Sequence, residues 1–187
     1  MAVRQNPQTA AATTVPTGKV IRIIGVDAAL RVTGYGLLDT DGRRFVAVDC
    51  GVIRTPPKRP LSECLRRLAA GMRELVEEFA PDVVALEGGF YCQNVRTAMV
   101  LGCARGAVIA ALAELKLPIY EYAPRRAKQA VCGYGNASKE QIALLVATRL
   151  NIAVDSVPDD ATDALALALC HAQTAFSAGG LRLPDPL

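Results

Sequence analysis

The chain has 187 residues, 51% of them apolar and 21% charged, with a formal net charge of +3 at pH 7. That length suits one well-cored domain rather than two, and the composition excludes disordered and collagen-like classes. The small charge excludes a basic nucleic-acid coat, so any DNA contact must be a local patch, and no uninterrupted apolar stretch approaches the roughly 20 residues of a membrane span.

Residues 1–19 contain two prolines, a Thr/Ala run and no acidic residue, and read as a disordered tail. Residues 20–176 read as one α/β domain, and 177–187, with two glycines and two prolines, as a flexible C-terminal tail. The tail lacks an apolar core after Arg4 and so is no secretory signal; the expected compartment is the cytoplasm. Cys50, Cys64, Cys92, Cys103, Cys132 and Cys170 form no C-x-x-C pair, which argues against zinc and for free thiols in a reducing environment. His171 is the only histidine, so any site that needs two is excluded.

Val20–Val26 is a short β-branched run that predicts a buried strand. Val32–Asp39 and Arg44–Ile53 predict two more, joined through the hairpin signal Thr40-Asp41-Gly42. After a proline-rich break, Leu61, Cys64, Leu65, Leu68, Met72, Leu75, Val76 and Phe79 recur at helical spacing, with Arg66, Arg67, Arg73, Glu74, Glu77 and Glu78 opposite them. Asp82–Leu86 predicts a strand that ends at Glu87. Val95–Leu115 predicts a helix carrying Gly102, Ala104 and Gly106, small enough for close approach either to the sheet or to a second copy. Pro118–Tyr122 predicts a fifth strand. Short helices follow near Pro124–Val131 and Ser138–Leu150, and a last helix near Pro158–Phe176. This order predicts a five-stranded mixed sheet flanked by helices.

Four acidic residues stand apart from the solvated ones. Asp27 and Glu87 each follow a buried strand, at the edge where α/β proteins place their sites. Asp160 and Asp163 share one face of a helix start. Convergence of four carboxylates raises their pKa values unless a cation joins them. An oxygen-only donor set suits Mg²⁺ or Mn²⁺, and a pair of such ions about 3.5–4 Å apart serves attack of water on a phosphodiester. Three of the four also have a plainer explanation: Asp27 could open a turn, and Asp160 and Asp163, with Asp159, could cap a helix; Glu87, ending a buried strand before Gly88-Gly89, has no such capping role.

The stretch I-I-G-V-D-A-A-L-R-V-T-G-Y-G at Ile23–Gly36 resembles the opening of RuvC-type Holliday junction resolvases. Further matches are A-L-E at Ala85–Glu87 followed by Phe90, L-G-C-A-R-G at Leu101–Gly106, K-Q-A-V-C-G-Y-G at Lys128–Gly135 with the later Lys139, and D-A-T-D-A-L-A-L-A at Asp160–Ala168. The resemblance spans residues 21–172. It implies a ribonuclease-H-like fold and a homodimer that makes paired, metal-dependent nicks in four-way junction DNA, with a possible branch-migration complex as a further partner and no membrane association. By position it implies that Asp27, Glu87, Asp160 and Asp163 are catalytic and bind two Mg²⁺, with Mn²⁺ able to substitute. It implies that Phe90, helped by Tyr91, stacks on a base, and that Lys128 and Lys139 contact DNA near the cleaved phosphate. Arg54, Lys58, Arg59, Arg96, Arg105, Arg125 and Arg126 are available for the junction arms. One departure stands out: the family has Asp-Pro-Gly where this chain has Asp27-Ala28-Ala29, which predicts an altered loop path and leaves the carboxylate in place.

Two other readings compete. One is a non-catalytic junction-binding module, against which the survival of all four acids counts. The other is an actin-like nucleotide-binding ATPase domain, since Gly25–Gly36 superficially fits a phosphate loop. A single lobe without a second glycine-rich loop counts against it.

Overall fold

The computed structural model describes residues 2–5, 19–88, 94–177 and 183–187. A mixed sheet runs through the molecule in the order β1-β4-β3-β2-β5-β6. The five expected strands are all there: β2 Ile21–Asp27, β3 Val32–Thr40, β4 Phe45–Arg54, β5 Val83–Glu87 and β6 Ile119–Tyr122. A sixth, β1 Ala2–Gln5, pairs antiparallel with β4, so this part of the segment read as tail is an edge strand instead. No apolar pattern marks it, because its backbone hydrogen bonds to β4 supply the pairing.

The β2–β3 and β3–β4 pairs are antiparallel, and the β2–β5 and β5–β6 pairs are parallel. The β3–β4 hairpin turns as its residues require. Asp41 Oδ1 accepts from the N–H groups of Arg43 and Arg44, both at 2.9 Å, and Gly42 takes a φ of 85°.

Each face of the sheet is covered. Ile24, Val26, Val84 and Leu86 face α1 (Leu61–Phe79) and α2 (Val95–Glu114). Helix α1 buries Cys64, Leu68, Met72 and Leu75, the stripe its spacing predicts. Ile23, Val83 and Ala85 face the other way, toward α3 (Pro124–Cys132), α4 (Lys139–Leu150) and α5 (Asp159–Ala175). Helix α4 starts in a full capping box, with the Ser138 and Gln141 side chains bonded to each other's backbone.

Helix α5 is the central piece. Every residue from Ala164 to Ala172 is buried. It lies on β2 and β3 because those strands present glycine beneath it: a Cβ at Gly25 would fall inside the contact radius of the Ala164 carbonyl oxygen, and one at Gly34 inside that of Asp160. Backbone therefore rests on backbone, and the helix start is held over the ends of the central strands.

Helix α2 divides its two sides. Ala104, Val108, Ala111 and Leu112 are buried, while Val95 and Met99 are 73% and 67% exposed. Against the sequence expectation, α2 is long and apolar enough by composition to cross a membrane, because alanine and glycine dilute its few charges. Its packing against α1 and its paired charges, with Glu114 Oε2 2.6 Å from Arg73 Nη2, make it a surface helix of this domain. The five described cysteines are all free. His171 lies buried in the core with its Nδ1 2.8 Å from the Tyr122 hydroxyl.

Candidate active site

Strand alternation aims the first two acids. Along β2, Ile23 and Gly25 point to the α5 side, so Asp27 does too; along β5, Val83 and Ala85 do, so Glu87 follows. The parallel register pairs Val26 with Leu86, which sets Asp27 beside Glu87 at adjoining strand ends. Helix α5 then brings Asp163 over them from the start of its second turn.

Asp27, Glu87 and Asp163 line one cleft of about 340 Å³, together with Lys128, Lys139 and an apolar floor that includes Ala127, Ile142 and Leu167. Asp160 does not line it. It stands one turn earlier at the rim, close enough to raise the pKa values of Asp27 and Asp163 by its charge. Among the described residues no three of these groups form a closed ligand cluster. Lys139 Nζ is 3.6 Å from Asp163 Oδ2, and Lys128 Nζ donates to the Ala137 carbonyl at 3.3 Å. Phe90 and Tyr91 lie outside the described residues.

The loop after Asp27 tolerates its two alanines. Neither has a positive φ, so nothing in the turn demands glycine. Thr33 holds it, with Oγ1 donating to the Ala29 carbonyl at 2.6 Å and accepting from the Ala29 N–H at 3.2 Å. Among the basic residues considered for junction arms, three have partners among the described residues. Arg105 pairs with Glu121, Arg59 is 3.4 Å from Glu63, and Arg126 lies 5.5 Å over the Tyr122 ring.

Burial and mutual repulsion shape the electrostatics. Asp27 is pushed up to about 7, chiefly by desolvation and then by the charges of Glu87, Asp163 and Asp160. Burial raises Glu87, which its hydrogen bond with Asp27 and the two lysines partly offset. Burial also raises Asp163, against the pull of Lys139, and the Asp163 charge raises Lys139 in return. Such a group of half-buried oxygen donors fits a hard divalent cation, which reverses the repulsion and ionises the acids.

A consequence is testable without DNA. A carboxyl with a higher pKa in the folded state than in the unfolded one takes up a proton on folding. Its favourable contribution is complete below the unfolded value, 3.8, and is lost as pH rises through about 7. In EDTA, Asp27→Asn is therefore expected to be more stable than wild type by a margin that grows from pH 5 to pH 8. Saturating Mg²⁺ should cancel or invert that margin. Thermal melts across this pH range check it; a margin independent of pH would show that Asp27 is not raised.

The comparisons agree with this architecture. The profile of the family described as crossover junction endodeoxyribonuclease RuvC matches residues 23–171. A curated relative of that name from Desulforamulus reducens is 40% identical over 158 residues, covering 84% of this chain and 97% of its own. One from Chloroflexus aggregans is 43% identical over 155 residues, covering 83% and 94%. Among solved structures, Thermus thermophilus RuvC in complex with Holliday junction substrate superposes with a TM-score of 0.81 at 33% identity, covering 89% of this chain and 99% of that one. The fold shared with these structures is the ribonuclease-H-like one that the sequence led us to expect.

Proposed function

The chain belongs to the RuvC family of crossover junction endodeoxyribonucleases, and on that premise we propose that it resolves four-way DNA junctions by metal-dependent phosphodiester hydrolysis in the cleft between β2, β5 and α5. The observation that carries this reading is the arrival of Asp27, Glu87 and Asp163 from three separate elements in one cleft with two lysines. Family membership displaces the actin-like alternative, and an acid set that is whole speaks against a binding-only module.

Asp27, Glu87 and Asp163, with Asp160 at the rim, would hold two Mg²⁺, for which Mn²⁺ could substitute. When bound, these ions supply positive charge to the developing transition state and acidify the attacking water. Lys139 and Lys128 flank the acids and take a phosphate as point charges, which orients the backbone for in-line attack. Because Lys139 is 69% exposed, it can leave Asp163 for DNA without disturbing the fold. The expected products are ligatable nicks with 5′-phosphates. Phe90 and Tyr91, just past Glu87 in sequence, would stack on bases opened at the junction.

A homodimer matches the two-fold character of a junction. The exposed side of α2, with Val95, Met99, Gly102, Cys103 and Gly106, is the surface on which we place the second copy. The bacterial cytoplasm is the proposed compartment.

The deciding experiment compares a labelled four-way junction with a linear duplex in Mg²⁺. Paired nicks of like polarity in the junction alone are expected. Equal cutting of the duplex would make this a general nuclease, and tight binding without cutting in any divalent metal would make it a junction-binding module.

A further inference from the structure

On the face of the sheet away from the cleft, an ion pair stands behind the acidic strand ends. Arg105 on α2 meets Glu121 on β6, with Nη2 2.5 Å from Oε1. The Glu121 side chain lies against Gly88, where a Cβ would come within 2.5 Å of both its Cγ and its Oε1. The Gly88 N–H donates to the Tyr122 carbonyl at 2.9 Å. The residue that follows Glu87 is thus held by backbone on one side and by a side chain on another.

Arg105 also borders a second hollow, of about 110 Å³, whose other walls are Asp27, Ala28, Ala29, Glu87, Gly88 and Leu101. Its Nε is buried and has no hydrogen-bond partner among the described residues. A partly unsatisfied, largely buried guanidinium stabilises a fold less well than an apolar residue of similar size. Its place directly behind two site carboxylates gives it a different use.

We propose that the Arg105–Glu121 pair is a positioning bracket for the acidic strand end: it fixes the peptide after Glu87 and so the direction in which Glu87 and Asp27 meet a divalent cation. This rests on the reading of those two residues as cation ligands. Gly88 has no side chain to anchor itself, so the end of β5 takes its direction from what lies beneath it. The cation of Arg105 also cancels the charge of Glu121. Without Arg105, a further anion would press on the strand end and misdirect the Glu87 carboxylate.

The test measures Mn²⁺ binding to the full chain by calorimetry, without DNA, beside junction nicking, junction affinity in EDTA and melting temperature. Arg105→Ala is expected to weaken Mn²⁺ affinity and nicking by about tenfold or more, with junction affinity and melting temperature near wild type. Arg105→Lys should restore most of both, because it keeps the charge opposite Glu121. Wild-type Mn²⁺ affinity in folded Arg105→Ala overturns the bracket. Should that variant not fold, Glu121→Gln keeps the volume and breaks the ion pair, and wild-type affinity there overturns it equally. Asp27→Asn is the reference. If it loses Mn²⁺ while Arg105→Ala keeps it, the bracket alone falls. If it binds Mn²⁺ like wild type, the ligand reading falls and the bracket with it.

Discussion

Asp27→Asn and Glu87→Gln each lower junction nicking by roughly 10²–10³-fold, the scale set by removing one well-placed electrostatic group from a transition state, while junction affinity holds or improves. Both changes keep size and shape and remove one negative charge. The charge they remove sits on acids proposed to hold a divalent cation, in the cleft where we propose that the scissile phosphate binds. Junction binding is expected to draw on lysines and arginines outside the acid set, and the loss of one anion near DNA does not weaken such contacts. The two measurements therefore separate: a filter or anisotropy assay in EDTA should leave wild type and variants together, and a nicking assay in Mg²⁺ should part them. Nicking at the wild-type rate in both variants would remove these residues from the reaction. Asp27→Asn should also make the metal-free protein more stable at pH 8, so lost activity could not be laid to unfolding. Function here runs against stability, because the site gathers charges that the apo fold would rather keep apart.

Gly34→Ala should cost about 3 kcal/mol, the upper end for overpacking, or roughly 6–12 °C in Tm for a domain of this size. The added methyl meets the Asp160 carbonyl oxygen, and a helix backbone cannot yield as a flexible side chain can. Relief requires α5 to lift from the strands, which moves Asp163 off the cleft, so nicking should fall more than the lost stability alone predicts. Gly102→Ala and Gly106→Ala on α2 make the contrast. Among the described residues a Cβ at either meets nothing within 4 Å. In the isolated chain each should stabilise by about 0.5–1 kcal/mol, the helix preference for alanine over glycine. If a second copy covers that face, the same methyls should instead weaken the dimer, which sedimentation at falling concentration would show. Wild-type melting and activity in Gly34→Ala would mean that α5 is not pinned as described.

Local physics wrote much of this molecule into its sequence. The β-branched run of Ile21–Val26, the helical spacing from Leu61 to Phe79 and the turn at Asp41-Gly42 each fix their element by short-range sterics and hydrogen bonding. The same holds for the acids as positions: Asp27 and Glu87 are legible as strand ends, and Asp160 and Asp163 as one face of a helix start. Burial settled less. Asp163 enters the cleft and Asp160 stays at the rim, a difference of one helical turn that spacing leaves open. Among the basic residues, Arg105 turned inward to Glu121, a partner sixteen positions away that it meets only because α2 packs across β6. Strand β1 reaches the sheet by main-chain pairing with β4, a signal no side-chain pattern carries.

What the sequence determined by itself is the inventory: which strands and helices form, β1 excepted, which carboxylates end them, and the family whose motifs they match. Only the tertiary structure decided the convergence. The β2–β5 register brings Asp27 beside Glu87, and Gly25 and Gly34 let α5 lie close enough to deliver Asp163. Elements form from contacts a few residues apart, whereas a site depends on register and on the distance between backbones, and those are fixed only when the whole core packs.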